Sequence, residues 1–102
     1  MIEDYYKLFE NIDGIQALYI VDLETLKIKS KIIDDNYNKT FVLDAIKYLF
    51  KYFKNSKFKQ ILIETEMNIF FKNTSIENKI FVLITNSDIK LGSIFNTLKQ
   101  VK

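Results

Sequence analysis

A helix-length segment with apolar residues on two sides, residues 39–54, constrains the fold more than any other part of the sequence. At about 100° per residue, two apolar stripes separate by roughly 90° on this helix. The first stripe is Val42, Ile46, Leu49 and Phe53, flanked by Leu43 and Phe50, and the second is Phe41, Ala45, Tyr48 and Tyr52. The combined apolar arc is about 220°, whereas a helix lying on one sheet needs little more than ~100°. We therefore expect this helix to be covered on two sides.

The rest of the sequence predicts two more helices and five strands. The helices are expected over residues 2–11 and from Leu91 to the C-terminal end, and the strands over 15–21, 26–33, 58–64, 69–72 and 79–85. Residues 26–33 alternate with a period of two, which is typical of a half-buried antiparallel strand. The order α-β-β-α-β-β-β-α with short turns predicts an α+β fold, a five-stranded antiparallel sheet with helices on its faces. The absence of proline and of any linker-like stretch predicts a single domain over residues 1–102.

Three predictions concern the ends of helices. Gly14 is expected to be a turn residue just after the first helix. The polar residues 86–88 (NSD) offer side-chain oxygens that could cap the last helix. Gly92, in the first turn of that helix, is expected to allow a close approach to the sheet.

The composition excludes most catalytic and metal-binding chemistry. The chain has no cysteine and no histidine, and all fifteen of its basic residues are lysine. Disulfides, thiolate nucleophiles, histidine bases and a built-in arginine finger are therefore impossible. The acidic pairs Asp34–Asp35 and Glu64/Glu66 lack the loop of alternating oxygen ligands that calcium needs, and solvated turns explain them better. We expect no enzyme activity, no cofactor and no metal.

Charge and hydropathy also limit the partners. A formal charge of +2 gives little long-range attraction to nucleic acid. The apolar runs are far shorter than the ~20 residues that span a bilayer, and no secretory signal opens the sequence. A cytoplasmic protein is expected. Lys27, Lys29 and Lys31 could form a basic stripe along their strand. Lysines on an edge strand also protect it against edge-to-edge aggregation, and this is the interpretation we favour.

Two segments resemble the roadblock/dynein light chain family, within the profilin-like and longin-like group of folds. Residues 80–92 (IFVLITNSDIKLG) resemble the family's last strand, polar turn and Leu-Gly pair before a terminal helix. Residues 12–22 (IDGIQALYIVD) resemble its opening strand, with a leading glycine and a trailing aspartate. The family often has a glycine soon after that aspartate, whereas residues 23–25 here are LET. The resemblance extends over nearly the whole chain.

The resemblance implies a dimer in which the central helices lie side by side and the third strands join two sheets. The residues that it places in the dimer interface are Phe41, Ala45, Tyr48 and Tyr52 on the helix and Lys59, Ile61 and Ile63 on the strand. It further implies a non-enzymatic scaffold or regulator, a homodimer that associates with a small Ras-like GTPase or with a larger signalling or motility complex.

Two other functions fit the same sequence. A profilin-like small-molecule sensor module would be a monomer or weak dimer with a cavity beside residues 58–72. A subunit of a roadblock heterodimer would place the stripe of Phe41, Tyr48 and Tyr52 against a different chain. The stripe could also be core beneath a long loop of the same chain, but we expect no loop longer than about six residues.

Overall fold

The computed structural model describes residues 1–55 and 58–102, with the backbone alone at positions 50 and 53–55. Its elements are α1 (Ile2–Phe9), β1 (Ile15–Asp22), β2 (Ile28–Ile32), α2 (Lys39–Asn55), β3 (Gln60–Glu64), β4 (Met67–Asn73), β5 (Lys79–Asn86) and α3 (Leu91–Leu98). This order confirms the predicted α-β-β-α-β-β-β-α sequence of elements. The predicted places of Phe50 and Phe53 in the first apolar stripe lie outside the described side chains.

The five strands form one sheet in the order β2-β1-β5-β4-β3, and every neighbouring pair is antiparallel. The central strands β1 and β5 are buried along almost their whole length. Continuous apolar runs of this kind need cover on both faces, which places them in the middle of a sheet. The edge strands β2 and β3 are shorter and only partly buried.

Each face of the sheet carries its own hydrophobic core. On one face, Val42 and Ile46 of α2 are buried with sheet residues such as Tyr19 and Val82; we call this the α2-side core. On the other face, side chains of α1 and α3 are buried over the alternate sheet positions; we call this the α1/α3-side core. The α1/α3-side core contains Tyr5, Phe9, Ile94 and Leu98 from the helices and Leu18, Ile20, Phe70, Phe81 and Leu83 from the strands. The fold is therefore a sheet between two helical layers.

The turn between β1 and β2 shortens the second strand relative to the prediction. One carboxylate oxygen of Asp22 accepts hydrogen bonds from the backbone N–H groups of Glu24 and Thr25, at 2.9 Å and 3.1 Å. Leu26 then adopts a left-handed conformation with φ 64°, and it is 59% exposed. The prediction that Leu26 belongs to the strand was wrong, because a positive φ breaks the extended backbone.

The other corrections concern α3. Its N-cap is Lys90, without a side-chain cap, so the expectation that residues 86–88 would cap it was wrong. Asn86 instead ends β5, where its backbone N–H donates to the carbonyl of Gly14 at 2.9 Å. Gly92 has no heavy atom within 4 Å of the position a Cβ would occupy, so the expected close approach to the sheet is also wrong. The predicted turn at Gly14 is confirmed, since this residue has φ +95°.

The two glycines should respond in opposite directions to replacement by alanine. Gly14→Ala should lower the free energy of unfolding by about 1–3 kcal/mol, since it combines a left-handed backbone with a Cβ only 3.0 Å from the Asn86 amide. Gly92→Ala should raise it by about 0.5–1 kcal/mol, because alanine is the better helix former and nothing obstructs its Cβ. Urea denaturation of both variants tests this. Equal changes in the free energy of unfolding of the two variants would contradict the geometry of the Gly14 turn.

The Asp22 carboxylate should make stability depend on pH. A hydrogen bond from the Lys79 ammonium at 2.7 Å and the two backbone bonds lower the pKa of Asp22 from 3.8 to about 2. Because the folded-state pKa lies below the unfolded value, the stabilisation is complete above that value and is lost as the pH falls towards 2. The loss of stability in Asp22→Asn should therefore be largest near neutral pH and shrink below about pH 4. Urea titrations at several pH values test this. Lys79→Met should remove much of the same pH dependence. A loss of stability in Asp22→Asn that is the same at every pH would contradict the lowered pKa of Asp22.

Candidate functional site

One side of α2 carries large aromatic side chains that the described part of the chain leaves substantially exposed. Phe41, Tyr48 and Tyr52 are 41%, 65% and 46% exposed, and Ala45 between them is half-buried. We call these four residues the aromatic stripe. Val42 and Ile46, on the side of α2 that faces the sheet, are at most 1% exposed. The helix therefore has the two apolar sides that the sequence predicted, and a single chain covers one of them.

The orientation of α2 is fixed at its N-terminal end. The side-chain oxygen of Asn38 accepts a hydrogen bond from the backbone N–H of Phe41 at 2.9 Å, which is the geometry of an N-cap. Just before it, the hydroxyl of Tyr37 is hydrogen-bonded to that of Tyr19 in β1. Burial raises the pKa of both phenols, that of Tyr37 strongly. This uncharged pair ties the start of α2 to the middle of the sheet.

The exposed rings are already arranged relative to each other. The ring centroids of Tyr48 and Tyr52 lie 6.1 Å apart, with the ring planes tilted by 47°. The Lys51 ammonium lies 5.6 Å and 5.7 Å from the two centroids, within the range of cation–π attraction. Tyrosine has only two rotatable side-chain bonds for a large contact area, so it loses little conformational freedom on burial, and it is enriched in protein interfaces.

The aromatic stripe points towards the β3 edge of the sheet. Phe41 lines a surface depression together with Thr65, Glu66 and Met67, the turn between β3 and β4. On the opposite side of α2, Ile46 and Lys47 line a groove with Ile28 of β2. The stripe and the outer edge of β3 therefore lie on the same side of the molecule.

Within the described residues, β3 pairs with β4 alone, so its other edge is open. Ile61 and Ile63 are partly buried against the α2-side core, whereas Lys59 just before the strand is exposed. Leu62 packs on the opposite face, against the α1/α3-side core. The structure thus brings the sequence-predicted residues of the helix and of the strand to neighbouring surfaces, with the isoleucines set beneath α2.

A groove does lie beside residues 58–72, where the sensor alternative expects a cavity. It is an open groove at the C-terminal end of α3, and we call it the lysine groove after its four lysines, Lys59, Lys72, Lys99 and Lys102. The Lys72 ammonium donates to the carbonyl of Leu98 at the end of α3, and burial lowers the pKa of Lys72. Small-molecule pockets are usually enclosed and carry few charged groups, whereas this groove is open and lined by four lysines, so it gives the sensor alternative little support.

Three of the residues considered for metals and for a basic stripe make local contacts, namely Asp34, Asp35 and Lys31. Asp35 lies 3.8 Å from the Lys39 ammonium, and Asp34 accepts a bond from the backbone of Asn36 at 2.9 Å. Over residues 1–55 and 58–102, no three acidic side chains gather where they could hold a metal ion. Lys31 contacts Glu3 at 3.0 Å and lies 4.5 Å from the centroid of the Tyr6 ring, so it joins β2 to α1.

None of the helices in the described part of the chain has both the length and the apolar character needed to cross a membrane.

Comparison with known proteins finds similarity in structure and not in sequence. No protein-family model matches the sequence, and no curated protein matches it. MglC from Myxococcus xanthus has a similar structure, with a TM-score of 0.65 at 10% identity over 97% of this chain and 91% of that chain. The gliding protein MglB from Thermus thermophilus has a TM-score of 0.62 at 15% identity, over 97% of this chain and 80% of that chain. A Roadblock/LC7 domain from Streptomyces avermitilis has a TM-score of 0.61 at 7% identity, over 92% and 84%. At these identities the likeness concerns the fold.

Proposed function

Because this chain has the roadblock fold, we propose that it is a non-enzymatic regulator or scaffold that works as a homodimer. The two copies join through the aromatic stripe of α2 and the open edge of β3. The dimer associates with a small Ras-like GTPase or with a larger signalling or motility complex. One domain spans residues 1–102, and the protein acts in the cytoplasm.

The observation that carries the dimer is the exposure of three aromatic side chains beside an unpaired strand edge. An exposed cluster of large apolar side chains is typical of an interaction surface. An open edge strand without a protecting device is likewise a site for pairing with another chain. Since both features lie on the same side of the molecule, one partner can cover both. A second copy offers an aromatic stripe and a β3 edge in return.

The chemistry of the stripe suits an interface better than an internal core. Tyr48 and Tyr52 can bury their ring faces while their hydroxyls reach water at the rim. The small side chain of Ala45 leaves room for a partner side chain between Phe41 and Tyr48. Fully burying a large apolar side chain that was exposed contributes about 1.5–3 kcal/mol, and these side chains are 41–65% exposed before association. Two copies of the stripe contribute in this proportion against the loss of translational and rotational freedom on association.

The association with a GTPase rests on the roadblock resemblance. The similar solved structures include a protein described as a gliding protein, which is compatible with a role in motility. Since the chain has no arginine, it cannot insert an arginine finger into a GTPase active site. Any effect on GTP hydrolysis therefore acts by repositioning the GTPase's own residues.

The solution mass tests the dimer directly. Light scattering of the wild-type protein should give twice the chain mass of 12.1 kDa. Tyr48→Glu with Tyr52→Glu should give the monomer mass and raise the dissociation constant at least about 100-fold, because burying an unpaired carboxylate costs several kcal/mol.

The matched control for this experiment is Thr40→Glu with Lys47→Gln. It changes the net charge by the same −2 on exposed positions of α2 outside the stripe. It should remain a dimer, and circular dichroism should show that both double variants are folded. A wild-type monomer would contradict the proposal, as would a folded glutamate variant that stays dimeric.

Binding to a GTPase is the second test. The wild-type dimer and the monomeric glutamate variant are titrated against small Ras-like GTPases from the same genome, loaded with GDP or with a non-hydrolysable GTP analogue. We expect micromolar or tighter binding to one nucleotide state, weakened at least about tenfold in the monomeric variant because a dimer presents a composite surface. Isothermal calorimetry measures the binding and single-turnover assays measure hydrolysis. If none of these GTPases forms a complex with the protein and none changes its rate of GTP hydrolysis, the partner assignment is wrong.

A further inference from the structure

The lysine groove concentrates positive charge at one end of the sheet. Four of the ten described residues that line it are lysine, whereas lysine makes up fifteen of the 102 residues of the chain. None of those ten residues has a carboxylate side chain. The depression beside β2, lined by Lys27, Lys29 and Lys79, also contains Asp22, whose carboxylate accepts from Lys79 at 2.7 Å. The lysine groove has no such internal compensation.

The four lysines lie on two walls of the groove. Lys59 and Lys72 form the sheet wall, just before β3 and within β4, and Lys99 and Lys102 form the helix wall, just after α3. Over residues 1–55 and 58–102, none of the four forms an ion pair. Lys59, Lys99 and Lys102 are exposed. Their ammonium groups are therefore available to negative charges of another molecule.

The helix wall is held in place by contacts of its backbone. Val101 is buried in the α1/α3-side core, and its N–H donates to the carbonyl of Leu98 at 3.0 Å. The Tyr5 hydroxyl donates to the carbonyl of Lys102 at 2.6 Å. Because this segment is already ordered, a ligand that binds here does not have to order its backbone, and this ordering cost is absent.

The C-terminal end of α3 accounts for one of the four lysines. The carbonyl end of a helix carries roughly half a negative charge. The Lys72 ammonium already donates to the carbonyl of Leu98 at this end. Burial nevertheless lowers the pKa of Lys72, because its charge is partly removed from water. An anion in the groove would stabilise that charge, and the other three ammonium groups exceed what the helix end requires.

The chemistry of the groove favours carboxylates spread along a chain over one compact phosphate. Compact phosphate sites commonly use the backbone N–H groups of a helix N-terminus or the planar fork of arginine. This groove lies at a helix C-terminus, and the chain has no arginine. Its lysines present separate point charges on two walls. In an extended peptide, successive side chains point to opposite sides, so neighbouring acidic residues can reach both walls.

The shape of the groove favours a peptide over a membrane or a nucleic acid. A bilayer surface is flat on this scale and does not enter a concave site. Single-stranded nucleic acid is usually bound by aromatic rings that stack on its bases beside basic residues. Phe58 is the aromatic residue among those described in the groove lining, and it packs against the α2-side core. Gln60 and Ser75 instead add neutral hydrogen-bond donors that suit carboxylates and peptide carbonyls.

We propose that the lysine groove docks an acidic segment of a partner protein, a short stretch with several consecutive aspartate or glutamate residues. The segment lies between the sheet wall and the helix wall, with carboxylates directed to both. This site goes beyond the proposed dimer and does not depend on it. Lys99 and Lys102 follow α3, on the opposite face of the sheet from the aromatic stripe.

A fluorescein-labelled decaglutamate peptide is the probe for this site. Fluorescence anisotropy at an ionic strength of about 0.05 M, where screening is weak, should show saturable binding of one peptide per groove. A decaglutamine peptide should not bind, and added salt should weaken the binding of decaglutamate. Lys99→Glu with Lys102→Glu should weaken it at least about tenfold, because two attractions become repulsions. No saturable binding to the wild-type protein below about 1 mM peptide would overturn the proposal.

The matched control is Lys27→Glu with Lys29→Glu. It changes the net charge by the same −4 at exposed lysines on another part of the surface. It should keep most of the binding, since a distant exposed charge is largely screened. Equal weakening by the two double variants would show a general attraction without a site, which overturns the proposal.

A second groove variant guards against a loss of folding. Lys99→Gln with Lys102→Gln removes the charges without placing carboxylates at the end of α3, where negative charge is unfavourable. It should bind decaglutamate more weakly than the wild-type protein and more tightly than the double glutamate variant. Circular dichroism should show that all variants are folded. Unchanged binding in the folded glutamine variant would overturn the assignment of the helix wall.

The other anionic partners are tested in the same assay. Vesicles of phosphatidylcholine with phosphatidylserine, an oligothymidylate and inorganic phosphate each compete with the labelled peptide. Tighter binding of any of these that depends on Lys99 and Lys102 would overturn the peptide assignment. Light scattering separates the site from the proposed dimer. A monomeric wild-type protein that binds decaglutamate would contradict the dimer and support the groove, whereas a dimer that does not bind it would do the reverse.

Discussion

The central antiparallel pair of β1 and β5 is the constraint on which the rest of this structure depends. Both strands are apolar on both faces, so neither face of the sheet can meet water. One helix covers one face and two helices cover the other, which divides the interior into two cores. The two strands that are only partly buried, β2 and β3, lie at the edges. The position of each strand in the sheet therefore matches how much of it is buried.

The two edges differ in how they are protected from other chains. In β2, Lys29 is exposed and Lys31 is held by Glu3 of α1, so charge and a neighbouring helix guard that edge. In β3, no lysine lies within Gln60–Glu64, and the interior of the strand is Ile-Leu-Ile. The same sheet thus has one edge built against pairing and one edge without such a guard. The aromatic stripe lies on the unguarded side.

Most of the fold could be predicted because it follows from periodicity. The wide apolar arc of α2, the alternation in β2 and the continuous apolar run of β5 each determine burial locally. The errors fell where conformation depends on distant atoms. Leu26 continues the alternation of β2, yet the Asp22 turn forces it into a left-handed conformation. The polar residues 86–88 look like a helix cap in sequence, but pairing with Gly14 extends β5 through Asn86.

The candidate site was accessible to sequence reasoning only in part. Helical spacing identified Phe41, Ala45, Tyr48 and Tyr52 as a second apolar side, and only the roadblock resemblance predicted an interface role for Lys59, Ile61 and Ile63. Spacing alone could not tell which side of α2 faces which sheet edge. That relation becomes visible only in the fold, where Phe41 lines one surface depression with the β3–β4 turn. The direction of the free backbone groups of β3 depends in the same way on its register with β4.

The helix and the strand edge have complementary weaknesses as interaction surfaces. A strand edge supplies directional hydrogen bonds that fix a register, but each such bond contributes only about 0.5–1.5 kcal/mol after the loss of water. The aromatic stripe supplies apolar area, which is stronger but non-directional and would tolerate several helix arrangements. Since both surfaces belong to one rigid framework of sheet and packed helix, fixing the strand register also fixes how the two helices meet. A dimer built this way gains its affinity from α2 and its geometry from β3.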